Sequence, residues 1–145
     1  MNIINEIKLS YSKKGMENIK ITDSNSAYQI LVDNWNMNTI ELQEEFKVLL
    51  LNRANIVLGI YNLSKGGVSG TIVDVKLLLA SAIKANASSI IITHNHPSGN
   101  INPSESDKRL TKKIKEGAML LDITLLDHLI VTKVAFYSFS DDGEL

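Results

Sequence analysis

Two histidines stand two residues apart at the start of the stretch "HNHPSGNINPSESD", residues 94–107. His94 and His96 follow the apolar run "SSIIIT", which predicts a strand, and side chains at positions i and i+2 of a strand point the same way. Both imidazoles could therefore reach one point beyond the end of the strand. Catalytic zinc sites take three histidine or carboxylate ligands and leave one position for water. Asp107 could supply the third ligand if the intervening loop, which is rich in turn-forming residues, folds back.

The same residues also have interpretations without a metal. The histidines could hydrogen-bond carbonyl groups of the loop, and Ser104 and Asp107 have the S-x-x-D spacing of a capping box at a helix start. Ser104 could cap the helix while its hydroxyl faces a site. For Asp107 we expect the two interpretations to compete, because a ligand carboxylate would have to point away from the helix terminus. A metal site and a capped loop both stay open at this point.

Three segments have the apolar spacing of helices. Ser24 or Ser26 is the expected N-cap of the first helix, and Asp74 is that of the second. In the third, Leu110 and Ile114 lie one helical turn apart and begin an apolar face. The predicted helices are residues 24–35, 73–87 and 105–121.

Apolar runs of strand length lie between and beside these helices. Three consecutive isoleucines, residues 90–92, suit a strand that is covered on both faces. Two runs separated by "RAN" predict a hairpin that ends in the loop "SKGGVSG". The predicted strands are residues 2–9, 45–52, 56–64, 88–93, 123–131 and 134–140. The order of helix, buried strand, loop and helix is that of an α/β unit, so we expect a mixed β-sheet flanked by helices.

Composition indicates one soluble domain. The chain has 145 residues, of which 44% are apolar and 21% charged, as in ordinary globular proteins. We expect a single domain over residues 1–145, with an N-terminal extension at 1–23 and a metal-binding core at 24–145. The net charge of −1 provides no overall attraction to nucleic acids or anionic membranes.

The absence of cysteine narrows the chemistry further. It excludes disulfides, thiolate metal ligands and cysteine nucleophiles, and it is compatible with the reducing cytoplasm, where we expect this protein. No apolar run approaches the roughly 20 residues of a membrane helix, and the first residues lack a signal-peptide pattern. We therefore expect no membrane association.

The stretch "HNHPSGNINPSESD" resembles the signature of RadC-type proteins, a branch of the JAB/MPN (JAMM) metalloenzyme superfamily. That signature has an upstream glutamate, then H-x-H, seven residues, a serine, two residues and an aspartate. His94, His96, Ser104 and Asp107 match its four downstream positions, and "LLDHLIV" at residues 125–131 resembles RadC-type proteins as well. The resemblance covers about residues 42–139 and implies a JAB/MPN core of the cytidine deaminase-like type.

The stretch "ELQEEFKVLLLN" offers Glu41, Glu44 and Glu45 as candidates for the upstream glutamate. Strand alternation does not choose between Glu44 and Glu45, because both faces of "FKVLLL" are apolar. RadC-type sequences tend to place the acid two residues before an aromatic residue that opens the strand. Phe46 is that aromatic residue, so the resemblance favours Glu44, with Glu45 as the alternative. Each would otherwise be a solvated charge at the start of a strand.

The resemblance implies a zinc hydrolase of the metallopeptidase type. His94, His96 and Asp107 would hold one Zn²⁺ per chain, with water in the fourth position. Glu44 would act as general base and Ser104 would stabilise the oxyanion of the tetrahedral intermediate. The expected substrate is a peptide or isopeptide bond.

Two other functions stay open. One is a metal-binding module that assists DNA repair or processing, and the other is a catalytically silent MPN scaffold. Five basic residues cluster on the third predicted helix and could contact nucleic acid, although a solvated helix face is the simpler interpretation. They are Lys108, Arg109, Lys112, Lys113 and Lys115. The roughly 40 residues before the first core strand are too few for the full helix-hairpin-helix region of many RadC-type proteins.

His128 is the remaining histidine, and the sequence predicts no oligomeric state. Its position in a predicted strand beside Asp127 favours a structural or supporting contact over metal ligation.

Overall fold

The fold is a five-stranded mixed sheet with three helices, seen in a computed structural model that describes residues 1–10, 12, 15, 17–67 and 70–145. The strands are β1 (Glu45–Leu51), β2 (Val57–Lys65), β3 (Ser89–Asn95), β4 (Thr124–Val131) and β5 (Phe136–Ser138). The helices are α1 (Ser24–Asp33), α2 (Val75–Lys84) and α3 (Glu105–Leu120). The predicted α/β class is confirmed. Among the described residues no helix combines the length and apolar character needed to cross a bilayer.

The strand order is β2-β1-β3-β4-β5. Strands β1 and β2 form the predicted antiparallel hairpin, and β1 also pairs antiparallel with β3. Strands β3 and β4 are parallel, and α3 makes the connection between them. In this register Phe46 lies opposite His94, and Ile92 lies opposite His128. The sheet therefore brings Phe46, His94 and His128, which are distant in sequence, close together on three neighbouring strands.

Both faces of the central strands are covered, which explains the continuous apolar runs at residues 48–51 of β1 and 90–92 of β3. One face of β3, with Ile90 and Ile92, packs in a core that includes residues of α2 and α3. The other face, with Ile91, packs in a second core that includes residues of α1. Alternate side chains of a strand enter opposite cores, so a continuous apolar run is the expected pattern for a strand buried on both sides.

Two local predictions are wrong. Residues 2–9 form no strand, and Ile3, Ile7 and Leu9 are 91%, 83% and 76% exposed. Strand propensity without a neighbouring strand or a covering face does not order a segment. The N-cap of α1 is Asp23 rather than Ser24 or Ser26. Ser26 is instead the third helical residue, and its hydroxyl accepts a hydrogen bond from the Asp23 backbone in a reciprocal capping box.

The other predicted helices and strands are present, with ends that differ from the predicted ones by a few residues. Asp74 caps α2 as predicted, and its carboxylate accepts a hydrogen bond from Leu77 N. The last predicted strand is shorter than expected, since only Phe136–Ser138 pairs with β4. Residues 68 and 69 of the predicted loop "SKGGVSG" lie outside the described residues, as do four residues of the predicted N-terminal extension, 11, 13, 14 and 16.

Candidate metal centre

The end of β3 brings the two histidines together. His94 is the penultimate residue of β3 and is 1% exposed, with its ring stacked parallel to that of Phe46 at a centroid distance of 5.9 Å. His96 follows the strand and is partly exposed. Their Nε2 atoms lie 3.0 Å apart. The strand alternation that predicted a shared face thus places both imidazoles at one point.

Asp107 joins the histidines from the first turn of α3. Its Oδ1 lies 3.3 Å from His94 Nε2, and its Oδ2 lies 3.4 Å from His96 Nε2. The same carboxylate accepts a hydrogen bond from Ser104 N, while Ser104 Oγ accepts one from Asp107 N. The expected competition between cap and ligand roles is therefore wrong. Each carboxylate oxygen has two lone pairs, so one side chain can close the capping box and still face both imidazoles.

The hydrogen bonds around the histidines set which nitrogen faces the centre. His96 Nδ1 lies 2.6 Å from the carbonyl oxygen of Asn100. A carbonyl can only accept, so Nδ1 carries the proton, and the Nε2 of a neutral His96 presents a lone pair to Asp107 and His94. The predicted contact between histidine and loop carbonyl is thus real, and it accompanies the cluster rather than replacing it.

Two pKa values reflect this concentration of polar groups. Burial would raise the pKa of Asp107, but hydrogen bonds with His94 and His96 outweigh it and hold the pKa far below its ordinary value. Burial would lower the pKa of His96, yet hydrogen bonds with Asp107 and the Asn100 carbonyl raise it above its ordinary value.

The three side chains fit a metal ion. Their ligand atoms, two imidazole nitrogens and one carboxylate oxygen, all lie within 4.8 Å of one another. They open into a cavity of about 580 Å³. A divalent cation would bind this set with the carboxylate ionised and with a lone pair on one nitrogen of each imidazole, because metal ligands bind in their deprotonated forms.

We expect the affinity for a divalent metal to fall as the pH falls through the raised pKa of His96. Below that pKa a proton occupies the nitrogen that a metal needs, so each unit of further acidification should weaken binding about tenfold. Isothermal titration with Zn²⁺ between about pH 5 and pH 8 measures this dependence. An affinity that stays constant over this range would contradict the assignment of His96 as a ligand.

Glu44 and Glu41 line the same cavity, and Glu45 does not. The Oε1 atom of Glu41 lies 2.9 Å from Lys133 Nζ. Phe46 and His94 are cross-strand partners and so share a face, and Glu44, two residues before Phe46, continues that face. Burial raises the pKa of Glu44, although the nearby His94 and His96 partly offset the effect. Glu45 is 4% exposed, and its Oε1 lies 3.7 Å from Lys47 Nζ and 3.7 Å from Lys65 Nζ. The pairing of β1 with β3 thus separates two candidates that strand alternation alone left equal.

Ser104 also lines this cavity. The hydrogen bond that its Oγ accepts from Asp107 N does not use the hydroxyl's own hydrogen. That hydrogen can therefore be donated to a group in the cavity while the cap stays intact.

The residues that match the signature belong to one compact arrangement of strand end, loop and helix start. The family model of the RadC-like JAB domain matches residues 21–144. This chain belongs to the RadC-like JAB domain family. The resemblance found in the sequence is confirmed over nearly the whole chain, including the strands and helices that hold the cluster.

Proteins of several bacteria are similar in sequence to this chain. The chain is 49% identical over 127 residues to a protein of Flavobacterium johnsoniae, a match that covers 86% of this chain and 53% of that protein. It is 45% identical to a protein of Porphyromonas gingivalis, covering 86% and 54%, and 40% identical to one of Clostridium beijerinckii, covering 86% and 53%. All three are named "UPF0758 protein", which states no activity. The chain spans about half the length of these relatives.

Asn95 is a residue of this RadC-like site that the sequence did not single out. It lies between the two histidines but points to the opposite face, where it is buried. Its Oδ1 accepts a hydrogen bond from Glu45 N at 2.7 Å, and its Nδ2 donates to the carbonyls of Ile40 and Gln43 at 2.6 and 2.8 Å. One amide therefore holds the backbone on both sides of Glu44. The available signal was an amide side chain between the two candidate histidine ligands, directly after a predicted buried strand.

We expect Asn95→Ala to lower the free energy of unfolding by on the order of 3 kcal/mol, because it leaves buried backbone groups without partners. Thermal and denaturant unfolding measure the loss. Asn34→Ala is the matched control, since the Asn34 amide makes an exposed hydrogen bond to the Ile30 carbonyl, and it should change stability by less than about 1 kcal/mol. Equal effects of the two substitutions would contradict this role for Asn95.

His128 contacts the cluster without belonging to it. It lies in β4, is fully buried, and its Nε2 is 2.8 Å from His94 Nδ1. Burial, followed by the nearby His94, lowers the pKa of His128 well below its ordinary value. The adjacent Asp127 carboxylate accepts hydrogen bonds from His128 N, Ser138 Oγ and Ser140 N and so secures the backbone of the strand.

Proposed function

We propose that this chain is a zinc-dependent hydrolase of the metallopeptidase type, in which metal-activated water attacks an amide or isopeptide bond. The observation that carries the proposal is the convergence of His94, His96 and Asp107 at a cavity that Glu44 also lines. Two imidazoles and one carboxylate are a ligand set of catalytic zinc sites, which leave a position for water. The family and the names of the relatives leave the activity open, and these side chains are what supports hydrolysis.

His94, His96 and Asp107 would hold the zinc ion. When bound, zinc supplies Lewis-acid chemistry and lowers the pKa of a bound water to about 7. The hydrogen bond from His96 to the Asn100 carbonyl orients one imidazole, and the bond from Ser104 N to Asp107 orients the carboxylate. These contacts reduce the reorganisation that metal binding would otherwise require.

Glu44 would be the general base. Its carboxylate takes a proton from the attacking water and passes it to the leaving amine, so that the amide bond breaks with the proton on nitrogen. The raised pKa of Glu44, caused mainly by burial, suits a group that must both accept and return a proton.

Ser104 would stabilise the negative charge that develops on the substrate carbonyl oxygen. The hydroxyl keeps its own hydrogen available while its oxygen caps α3. Because the serine is held by the helix start, its position does not have to be reorganised during the reaction.

The charges on α3 favour a solvated face over a nucleic-acid surface. Lys108 Nζ lies 3.8 Å from Glu105 Oε1, and Lys112 Nζ lies 3.9 Å from Glu116 Oε1. Acidic neighbours thus partly neutralise the basic cluster, which lowers its attraction for phosphates.

The test is a cleavage screen with the zinc-loaded chain and the chelated chain in parallel. Libraries of peptides and of isopeptide-linked lysines serve as substrates, and mass spectrometry detects the products. We expect products with the zinc-loaded chain alone. If the zinc-loaded chain cleaves nothing but binds structured DNA tightly and in a salt-sensitive manner, the proposal is wrong and the role lies in DNA processing.

A further inference from the structure

A chain of hydrogen bonds leads from His94 into the protein. His94 Nδ1 lies 2.8 Å from His128 Nε2, and His128 Nδ1 lies 2.6 Å from Thr111 Oγ1. Thr111 Oγ1 in turn donates to the carbonyl oxygen of Asp107 at 2.7 Å. This series of hydrogen bonds therefore begins at one residue of the candidate metal centre, His94, and ends on the backbone of another, Asp107.

The carbonyl at the end of this chain sets the direction of every bond. A carbonyl oxygen only accepts, so the single hydrogen of the Thr111 hydroxyl goes to Asp107. Thr111 Oγ1 must then accept from His128, which places a proton on His128 Nδ1. In a neutral His128 the Nε2 is unprotonated and accepts from His94, which places the proton of His94 on Nδ1.

The surroundings of His128 keep it neutral and fixed. Its ring is fully buried and stacks on that of Phe139 at a centroid distance of 4.6 Å and an interplanar angle of 7°. The hydrogen-bond partners of its two ring nitrogens are the Thr111 hydroxyl and the His94 imidazole, so a positive charge on this ring would be buried without a directly bonded carboxylate.

We infer that His128 is a positioning residue that holds His94 in the tautomer whose Nε2 lone pair faces Asp107 and His96. The inference rests on the metal centre of the proposed function. His96 reaches the same tautomer through one bond to the Asn100 carbonyl at the surface. His94 is buried, and its tautomer is set by the backbone carbonyl of Asp107, which acts through Thr111 and His128. Two separate sets of hydrogen bonds thus leave the Nε2 atom of each imidazole unprotonated and able to bind a metal.

The first test uses the unmodified, metal-free chain. Nitrogen-15 NMR at about pH 8.5, about two units above the ordinary histidine pKa, distinguishes protonated from unprotonated ring nitrogens. We expect a protonated Nδ1 and an unprotonated Nε2 for both His94 and His128. A protonated Nε2 on His94 would overturn the inference, and this result requires no variant to fold. The readout does not involve hydrolysis, so the proposed function can fail while this tautomer assignment holds.

The second test compares variants by NMR and by zinc titration. His128→Phe keeps a ring against Phe139 but removes both nitrogens, and Thr111→Val keeps the shape but removes the hydroxyl. We expect each to give a mixture of His94 tautomers and about 10- to 100-fold weaker zinc binding. Thr111→Ser, which keeps the hydroxyl, should restore both readouts.

Thr93→Val is the matched control for the loss of a buried hydroxyl. Thr93 is 0% exposed and adjacent to His94, but its Oγ1 has no hydrogen-bond partner within the part of the chain that the structure describes. This substitution should leave the His94 tautomer and the zinc affinity unchanged. Zinc affinities of His128→Phe and Thr111→Val as high as that of the control would overturn the inference.

Discussion

Replacement of both His94 and His96 by alanine should abolish stoichiometric zinc binding. The two imidazoles supply two of the three converging ligand atoms, and Asp107 alone would be left with a carboxylate facing solvent. Loss of a supporting contact weakens metal binding by about 10- to 100-fold, so loss of two direct ligands should weaken it by more than about 100-fold. Metal analysis of protein purified without a chelating tag, followed by zinc titration, measures the change.

Single substitutions separate metal loss from misfolding. His94 is 1% exposed, so its removal opens a cavity, whereas His96 lies at the mouth of the site and can be truncated with less effect on packing. Asn102→Ala, an exposed position in the same loop, is the matched control and should retain zinc. Unchanged zinc content in a folded His96→Ala variant would show that the ligand assignment is wrong.

Substitution of Glu44 by glutamine should abolish most hydrolysis while the metal stays bound. The amide keeps the size and polarity of the side chain but cannot accept the proton of the attacking water. General-base catalysis contributes about 10²- to 10⁴-fold, so we expect a loss of that size in kcat. Zinc content, measured on the same preparation, should remain near that of the unmodified chain, because Glu44 is not one of the converging ligands.

Glu45→Gln is the decisive comparison, because Glu45 was the alternative base. Its side chain contacts Lys47 and Lys65 rather than the cavity, so its removal should affect stability instead of catalysis. The activity of each variant is compared at a temperature where unfolding measurements show it to be folded. Full activity in Glu44→Gln, or an equal loss of activity in a folded Glu45→Gln, would contradict the assignment of the base.

Much of the fold could be predicted because its signals are local. The apolar run of residues 90–92 predicted a strand covered on both faces, and the strand has that environment. Asp74 was recognised as an N-cap because a capping side chain acts on the backbone three residues away. The prediction of a strand at residues 2–9 was wrong because it depended on a contact that is not local. A strand exists only with a partner, and a partner lies outside the local sequence.

The sequence by itself determined which ligand types are present and where they lie along the chain. His94 and His96 share a face because of strand alternation, and Ser104 and Asp107 start a helix because of their spacing, so both facts follow from local backbone geometry. The sequence also implied the family, which the match of the family model over residues 21–144 confirms.

Only the tertiary structure decided which other residues meet this site. Glu44 reaches the cavity and Glu45 does not because β1 pairs with β3 in the register that sets Phe46 opposite His94. His128 touches His94, 34 residues away, because β4 lies parallel to β3, and Asn95 holds the backbone of Glu45, 50 residues away. Strand pairing and packing create these contacts between distant segments, and no local pattern encodes the register that makes them.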